Sequence, residues 1–317
     1  MKTIEMIHPI EQCYDHEPCA LAVGFFDGIH TGHQKVIETM ICIAENKGLK
    51  KAVMTFDPHP SVVLNPEKQR TDYLTPMQEK KHILETMGID YLFIVPFTSS
   101  LAKMEEHDFI SNYFTKNHVK EVVAGFDFTY GKYGKGNMLK LEADKEGFNV
   151  TTVERHALAD EKVSTTSIRK DLMHGDIESV NAQLGRPYKI TGLVVQGEKR
   201  GRTIGFPTAN VEPNENFVLP RLGVYAVTLK LDQTGKIYKG VCNVGVKPTF
   251  HDPEKQQVSI EVNIFDFKDS IYGERVEIEW YEFLRAEKKF DGIDSLIAQI
   301  NADKAQAIEI LNHIHLD

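Results

Sequence analysis

The sequence predicts an α/β domain built on a parallel sheet, followed by an antiparallel β-barrel that ends in a helix. Three observations predict it. Between Ala20 and Val153 short apolar runs alternate with helical patterns, the order that builds a parallel sheet with crossover helices. Between Lys189 and Phe283 the pattern becomes strand-like segments separated by turn residues, with no helix between them, which suggests an antiparallel barrel. From Ile293 to His313 the pattern is helical again. The change falls at Gly185-Arg186-Pro187, so the expected domains are 1–186 and 187–317, in keeping with a length of 317 residues.

Composition narrows the function classes. Hydrophobic content of 41% supports real cores, and 26% charged residues is ordinary for a soluble protein. A formal net charge of -9 with no basic tail argues against general nucleic-acid binding. No apolar run approaches the length of a membrane span, and Met1 to Pro9 lacks the apolar region of a secretory signal. Cys13, Cys19, Cys42 and Cys242 form no C-x-x-C pair, so they are expected to be free thiols in a reducing cytoplasm.

In the first half, Ala20-Leu21-Ala22-Val23 reads as a buried strand, and Gln34 to Lys47 as a helix with Val36, Ile37, Met40, Ile41 and Ala44 on its apolar side. Between them runs Gly24-Phe25-Phe26-Asp27-Gly28-Ile29-His30-Thr31-Gly32-His33, a strand-to-helix turn. Backbone N–H groups at a helix N-terminus carry partial positive charge and bind anions, and glycines permit close approach to the backbone. His30 and His33, three apart at a helix start, can face one ligand. This is the pattern of a phosphate-handling site. Two plainer roles stay open for the pair, as metal ligands, although no third His or Cys completes a set, or as surface residues beside an ordinary turn. The stretch resembles the His-x-Gly-His motif of the nucleotidylyltransferase superfamily, which implies that both histidines contact a nucleotide triphosphate and stabilise departing pyrophosphate.

The next strand, Leu49 to Phe56, ends in Asp57-Pro58-His59-Pro60, a stiff turn at the expected carboxyl edge of the sheet, where open α/β sheets bind ligands. A rigid loop stop explains it equally. Thr75 to Met87 reads as a helix with Thr75 as N-cap and Pro76 at its first position. A strand over Tyr91–Phe97, a helix over His107–Asn117 and a strand over Glu121–Gly125 follow. Phe126-Asp127-Phe128-Thr129-Tyr130-Gly131-Lys132-Tyr133 then offers aromatic faces to a flat ring, or alternate members to the core. A helix over Met138–Glu146 and a strand over Asn149–Val153 lead to Val163-Ser164-Thr165-Thr166-Ser167-Ile168-Arg169. Its hydroxyls suit a helix cap, and with Arg169 they also suit a phosphate.

The second half carries Lys199-Arg200-Gly201-Arg202-Thr203-Ile204-Gly205-Phe206-Pro207-Thr208-Ala209-Asn210. It is basic and Gly-rich, then supplies hard oxygen donors at Thr208 and Asn210, the type Mg²⁺ accepts. It is not a Walker loop, because the Gly-Lys-Ser/Thr ending is missing. A solvated basic turn is the plain alternative. The run Gly-Arg-x-x-Gly-Phe-Pro-Thr-Ala-Asn resembles the riboflavin kinase motif, and with the N-terminal motif the whole chain resembles the bacterial bifunctional riboflavin kinase/FAD synthetase family. Gly223-Val224-Tyr225, Asn243 to Phe250, and Glu261 followed by Asp266-Phe267 fit the kinase half as well.

The resemblance implies a nucleotidylyltransferase domain that joins FMN to the AMP portion of ATP, releasing pyrophosphate to give FAD. It implies a barrel that moves the γ-phosphate of ATP onto riboflavin, giving FMN and ADP. By resemblance Gly24, Phe25, Asp27, His30, Gly32, His33, Ser164, Thr165 and Arg169 bind the ATP to be cleaved, and Asp57, Pro58, His59, Asp127 and Phe128 line the FMN pocket. Flavin adenylyltransferases carry Ser-Ser-Thr-Arg-Ile-Arg where this chain has Ser167 in place of the first Arg. In the kinase half Lys199, Gly201, Arg202, Thr203, Gly205, Thr208 and Asn210 correspond to the ATP site. Thr208 and Asn210 hold Mg²⁺, Glu261 is the general base, and Arg285, Glu287 and Phe290 fall in the flavin-side loop. From local context alone Glu279 and Glu282 are placed much like Glu261. A single-activity relative or a flavin-binding regulator are the alternatives. An RNA-binding barrel is disfavoured by the acidic balance. The expected location is cytoplasmic, without membrane or nucleic-acid partner.

Overall fold

A computed structural model describes all residues except 11–13, 68, 155–156, 159–160, 198–200, 202–203, 249–255 and 315–317. The chain forms two compact units, Met1–Thr165 and Thr166–Asp317. In the first, the strands are β1 (Lys2–Glu5), β2 (Cys19–Val23), β3 (Lys50–Asp57), β4 (Tyr91–Pro96), β5 (Val119–Gly125) and β6 (Asn149–Val153). The helices are α1 (Thr31–Lys47), α2 (Ser61–Leu64), α3 (Met77–Thr86), α4 (Glu106–Tyr113) and α5 (Met138–Ala143). The six strands form one parallel sheet in the order β1-β4-β3-β2-β5-β6. Every residue of β2 is buried, because both sheet faces are covered. Cys19, Leu21 and Val23 join one core with Phe109 and Tyr113. Ala20 and Ala22 join the other with Ile37, Met40 and Leu84. Chain order steps from β2 to β3 and β4 on one side, then to β5 on the other. Such a reversal opens a crevice at the carboxyl ends of the strands.

Several boundaries differ locally from expectation. Pro76, not Thr75, holds the N-cap position of α3, without a side-chain cap bond, while the Thr75 N–H donates to Asp27 Oδ1 at 3.1 Å. The helix expected over His107–Asn117 ends at Tyr113 and continues as a 3₁₀ turn, Thr115–Asn117. A small hairpin, β7 (Ala157–Leu158) and β8 (Glu161–Lys162), follows β6.

The second unit begins at Thr166, within α6 (Thr165–His174), and goes on with α7 (Ile177–Leu184). Their bonds explain the grouping. Asn181 of α7 donates to the Trp280 carbonyl at 2.8 Å and accepts from the Tyr188 N–H at 2.7 Å. The strands β9 (Tyr188–Val195), β10 (Ala209–Pro213), β11 (Gly223–Leu231), β12 (Ile237–Pro248), β13 (Gln256–Ile264) and β14 (Arg275–Arg285) close into a barrel, in the order β10-β13-β12-β11-β14-β9. β10 was not expected as a separate strand, because its first two residues, Ala209 and Asn210, belong to the Thr208–Asn210 motif. Trp280, Tyr188, Tyr225, Cys242, Val262 and Ile278 are fully buried. The last helix, α8 (Ile293–Leu311), packs Ala307 and Leu311 on Ala226 and Phe265.

Candidate functional sites

In the first unit three of the expected segments leave the carboxyl ends of adjacent strands: the Gly24–His33 turn from β2, Asp57-Pro58-His59 from β3, and the Phe126–Tyr133 loop from β5. The turn is built from unusual backbone. Phe26, Gly28 and Ile29 have φ values of 54°, 88° and 39°, and positive φ turns successive N–H groups into anion-binding concavities. His30 caps α1 by accepting the His33 N–H at 3.3 Å on Nδ1, so its neutral form carries the proton on Nε2. The His30 and His33 rings stack, with centroids 3.6 Å apart, and Phe26 meets His33 edge-on. Burial, then the neighbouring His30 and Lys80, hold the His33 pKa well below its ordinary value. His33 therefore enters as an N–H donor rather than as a cation. Thr165 Oγ1 donates to the Asp27 carbonyl at 3.1 Å, tying the end of the Ser164–Thr165 segment to the turn. Arg169 lies on α6, in the second unit.

Around the turn, His59 meets Phe25 edge-on at 4.4 Å, and its Nδ1 accepts the Ser61 N–H at 3.0 Å. Tyr73 lies 6.0 Å from Phe25 and accepts the His59 N–H. Of the aromatics in the β5 loop, Tyr130 is buried in the core and Tyr133 is 81% exposed. Phe128, half-buried, stacks on Tyr130. Asp127 is exposed. Two residues went unnoticed in the sequence. Tyr73 carried no local pattern. Lys80 sits on a helix that reads as an ordinary amphipathic one, yet it is 3% exposed.

In the second unit the expected kinase residues meet on the outer face of three neighbouring strands. Asn210 of β10 and Asn243 of β12 both stand directly opposite Glu261 of β13. Thr208 Oγ1 lies 3.3 Å from Glu261 Oε2. The alternate residues Ala209, Val262 and Cys242 point to the core, as the strand period requires. Asn263 Nδ2 donates to the Pro207 carbonyl at 2.7 Å, fixing the turn before Thr208. A Cβ added at Gly197 would fall 2.2 Å from the Asn210 amide, so a larger residue there would displace that side chain. The Gly201 carbonyl accepts from the Ile204 and Phe206 N–H groups, making a tight turn with Gly205 at φ 87°. Lys199, Arg200, Arg202 and Thr203 lie outside the described residues. The rival carboxylates are placed differently. Glu279 is held by Tyr281 and Thr228, and Glu282, its pKa raised by burial and by Glu178, lies on β14.

The segment expected to border the flavin is anchored at Arg285. Arg285 makes a forked ion pair with Asp303 of α8, 2.9 Å from Nε and 2.7 Å from Nη2. The Phe290 ring lies under Arg285 and Lys288 at 5.8 and 5.2 Å. Glu287 reaches over β12, where a Cβ on Gly245 would fall 2.6 Å from its carboxylate. Among the described residues no group of three or more His, Cys, Asp or Glu side chains is arranged to hold a metal ion.

Comparison with known proteins matches the two halves of the chain to two families. The FAD synthetase family matches residues 13–167 and the riboflavin kinase family residues 184–311. The chain is 47% identical to the bifunctional riboflavin kinase/FMN adenylyltransferase of Bacillus subtilis (strain 168), covering 99% of both chains. This chain belongs to the bifunctional riboflavin kinase/FMN adenylyltransferase family. The protein of the same name from Listeria monocytogenes is 46% identical over 96% of each. A solved structure titled as a macrolide-efflux protein from Streptococcus pneumoniae has a TM-score of 0.87 and 31% identity, covering 96% of this chain and 98% of that one. No helix among the described residues here is long and apolar enough to cross a membrane. This member of the riboflavin kinase/FMN adenylyltransferase family is a two-activity enzyme, with the FAD synthetase domain first and the ATP-dependent kinase domain second.

Proposed function

We propose that the Gly24–His33 turn is the adenylyl-transfer site and that the Thr208–Asn210–Glu261 face is the phosphoryl-transfer site. The observation that carries the first is the stacked His30–His33 pair at the start of α1, at the end of the central strand. The phosphate of FMN attacks the α-phosphorus of ATP, the bond to the bridging oxygen breaks, and pyrophosphate leaves. A phosphate monoester is already anionic near neutral pH, so no dedicated base is needed. His30 and His33 donate to the triphosphate as charge moves onto the leaving group. Ser164, Thr165 and Arg169 hold phosphate oxygens, with Ser167 leaving Arg169 as the one guanidinium of that stretch. Asp57, Pro58, His59, Asp127 and Phe128 line the FMN side.

In the barrel, Glu261 accepts the proton of the riboflavin 5′-hydroxyl as it attacks the γ-phosphorus, and ADP leaves. Thr208 and Asn210 offer hard oxygen donors beside a carboxylate, a set that suits Mg²⁺. Bound there, the ion would neutralise phosphate charge. Lys199, Arg202 and Thr203, with the Gly201–Gly205 turn, are assigned to the ATP phosphates by their likeness to the kinase motif, and Arg285, Glu287 and Phe290 border the flavin. The reactions run in the cytoplasm, with domains dividing near 186 and no membrane or nucleic-acid partner. The test supplies riboflavin, ATP and Mg²⁺ to purified protein, with and without dithionite, and separates the flavins over time. FMN should appear first and FAD after it. In Glu261→Ala, FMN formation should fail while added FMN is still converted; His30→Ala should do the reverse. Loss of both activities in either folded variant would sink the assignment.

A further inference from the structure

We infer that Lys80 is a positioning residue for adenylyl transfer, fixing the Phe25 peptide so that the phosphate-facing turn keeps its shape. The inference rests on the assignment of that turn as the adenylyl-transfer site. Lys80 lies on α3, remote in sequence from the turn, and its ammonium is buried beneath it. Nζ donates to the Phe25 carbonyl at 2.7 Å and to Thr55 Oγ1 at 3.0 Å. Thr55 Oγ1 in turn donates to the same carbonyl at 2.8 Å. The ammonium also lies 4.7 Å from the centre of the Phe25 ring. Two donors from two elements thus converge on one carbonyl oxygen.

That convergence has a geometric result. A trans peptide is planar, with its C=O and N–H pointing opposite ways. With the Phe25 oxygen held toward Lys80 and Thr55, the Phe26 N–H points away from them. It makes no hydrogen bond among the described residues. Phe26 is the first of the positive-φ residues of the turn, so the orientation of this peptide sets where the following N–H groups point. A buried lysine is costly unless its charge is answered. The groups facing it are Asp27 from the turn and Asp57 from the end of β3. His33 of α1 feels its charge, and Tyr73 shares the same two carboxylates as neighbours. Burial draws the Lys80 pKa down to about 8, against the pull of Asp27 and Asp57. The ammonium is therefore present at neutral pH and is lost just above it. A neutral amine is a weaker donor to the carbonyl, so the turn should lose its fixed shape on the alkaline side.

The test uses the full chain, comparing native protein with Lys80→Met, Thr55→Val and His30→Ala. FMN adenylylation and riboflavin phosphorylation are measured on each from neutral to alkaline pH. In Lys80→Met the kcat for adenylylation should fall about 100-fold, the scale of one lost oxyanion donor, with the KM for ATP little changed and the kinase rate intact. Native adenylylation should show an alkaline limb that Lys80→Met lacks. Adenylylation within about twofold of native in Lys80→Met, or an alkaline limb that persists in it, overturns the inference. If Lys80→Met loses the helical signal of the first unit, Thr55→Val, which keeps side-chain volume, takes its place. It should lose about tenfold in kcat, on the scale of one neutral hydrogen bond, and native-like kinetics from it would overturn the inference too. His30→Ala separates the two claims. Full adenylylation in that variant removes the site assignment and this inference with it. Its loss beside an unaffected Lys80→Met removes the inference alone.

Discussion

Removing Asp303 should loosen the kinase unit more than any surface change, and the structure gives the size. Asp303 is 3% exposed and takes three guanidinium contacts from Arg285 across both its oxygens, between 2.7 and 3.0 Å, with Gln299 Nε2 also donating to Oδ1 at 2.7 Å. Arg285 keeps 20% of its side chain exposed. Breaking a buried pair by deleting one partner costs about 3–5 kcal/mol, because the remaining charge is left unanswered. The partial exposure of Arg285 puts Asp303→Ala at the lower end, about 3 kcal/mol. For a unit of this size that is roughly 6–12 °C in melting temperature. The assay is urea unfolding followed by fluorescence, since Trp280 is the one tryptophan of the chain and is fully buried in the barrel. Its signal reports the second unit alone. Arg285→Met with Asp303→Ala should be more stable than Asp303→Ala by itself, because the orphaned charge is gone. The kinase KM for riboflavin should rise in Asp303→Ala as the 286–290 loop loses its anchor, with adenylylation unaffected. Strictly additive losses in the double variant would refute the reasoning, since they would show that the two groups are not coupled.

Glu261→Gln should lower riboflavin phosphorylation by about 10²–10⁴-fold while leaving FMN-to-FAD conversion intact, measured by flavin chromatography on each step separately. Stability of the first unit should fall as pH drops below the ordinary histidine value of about 6.5. His33 is held neutral in the folded state and binds a proton more readily when unfolded. Its contribution is therefore present above the unfolded pKa and lost as pH falls, by at most about 1.4 kcal/mol per pH unit. Melting curves followed by far-UV dichroism should show this slope, and His33→Gln should flatten it. Gly245→Ala should raise the kinase KM for riboflavin, because its methyl group would displace the Glu287 carboxylate; an unchanged KM in a folded variant would show that Glu287 does not border the flavin.

Much of this fold was legible because its signals are local. Apolar runs such as Ala20–Val23 and the alternation around Ile190–Val194 are properties of short windows, and they mark strands whatever their partners. His30 and His33 were legible for the same reason, since one helical turn brings them together. Lys80 was not, because its burial depends on where α3 lands against β3 and the turn, which no window of sequence contains. The same holds for Asp303, whose partner lies on β14. The strand β10 was obscured by chemistry. Its first residues belong to a motif of oxygen donors, and its pairing with β9 and β13 becomes visible only when the barrel closes. Glu261, Glu279 and Glu282 were indistinguishable locally. Register separates them, by setting Glu261 between two asparagines and the others beside Tyr281 and Glu178.

The three-strand register under the proposed phosphoryl-transfer site has one more consequence. Asn210, Glu261 and Asn243 face outward only because Ala209, Val262 and Cys242 face inward. A slip of one residue in β13 would turn Glu261 into the barrel interior and carry Val262 into water. Reactivity and solubility therefore fail together. A chain that mispairs here has no route to a half-working barrel, so quality control acting on exposed apolar surface also removes the inactive kinase, and every folded copy that escapes it carries an assembled set of outer-face groups.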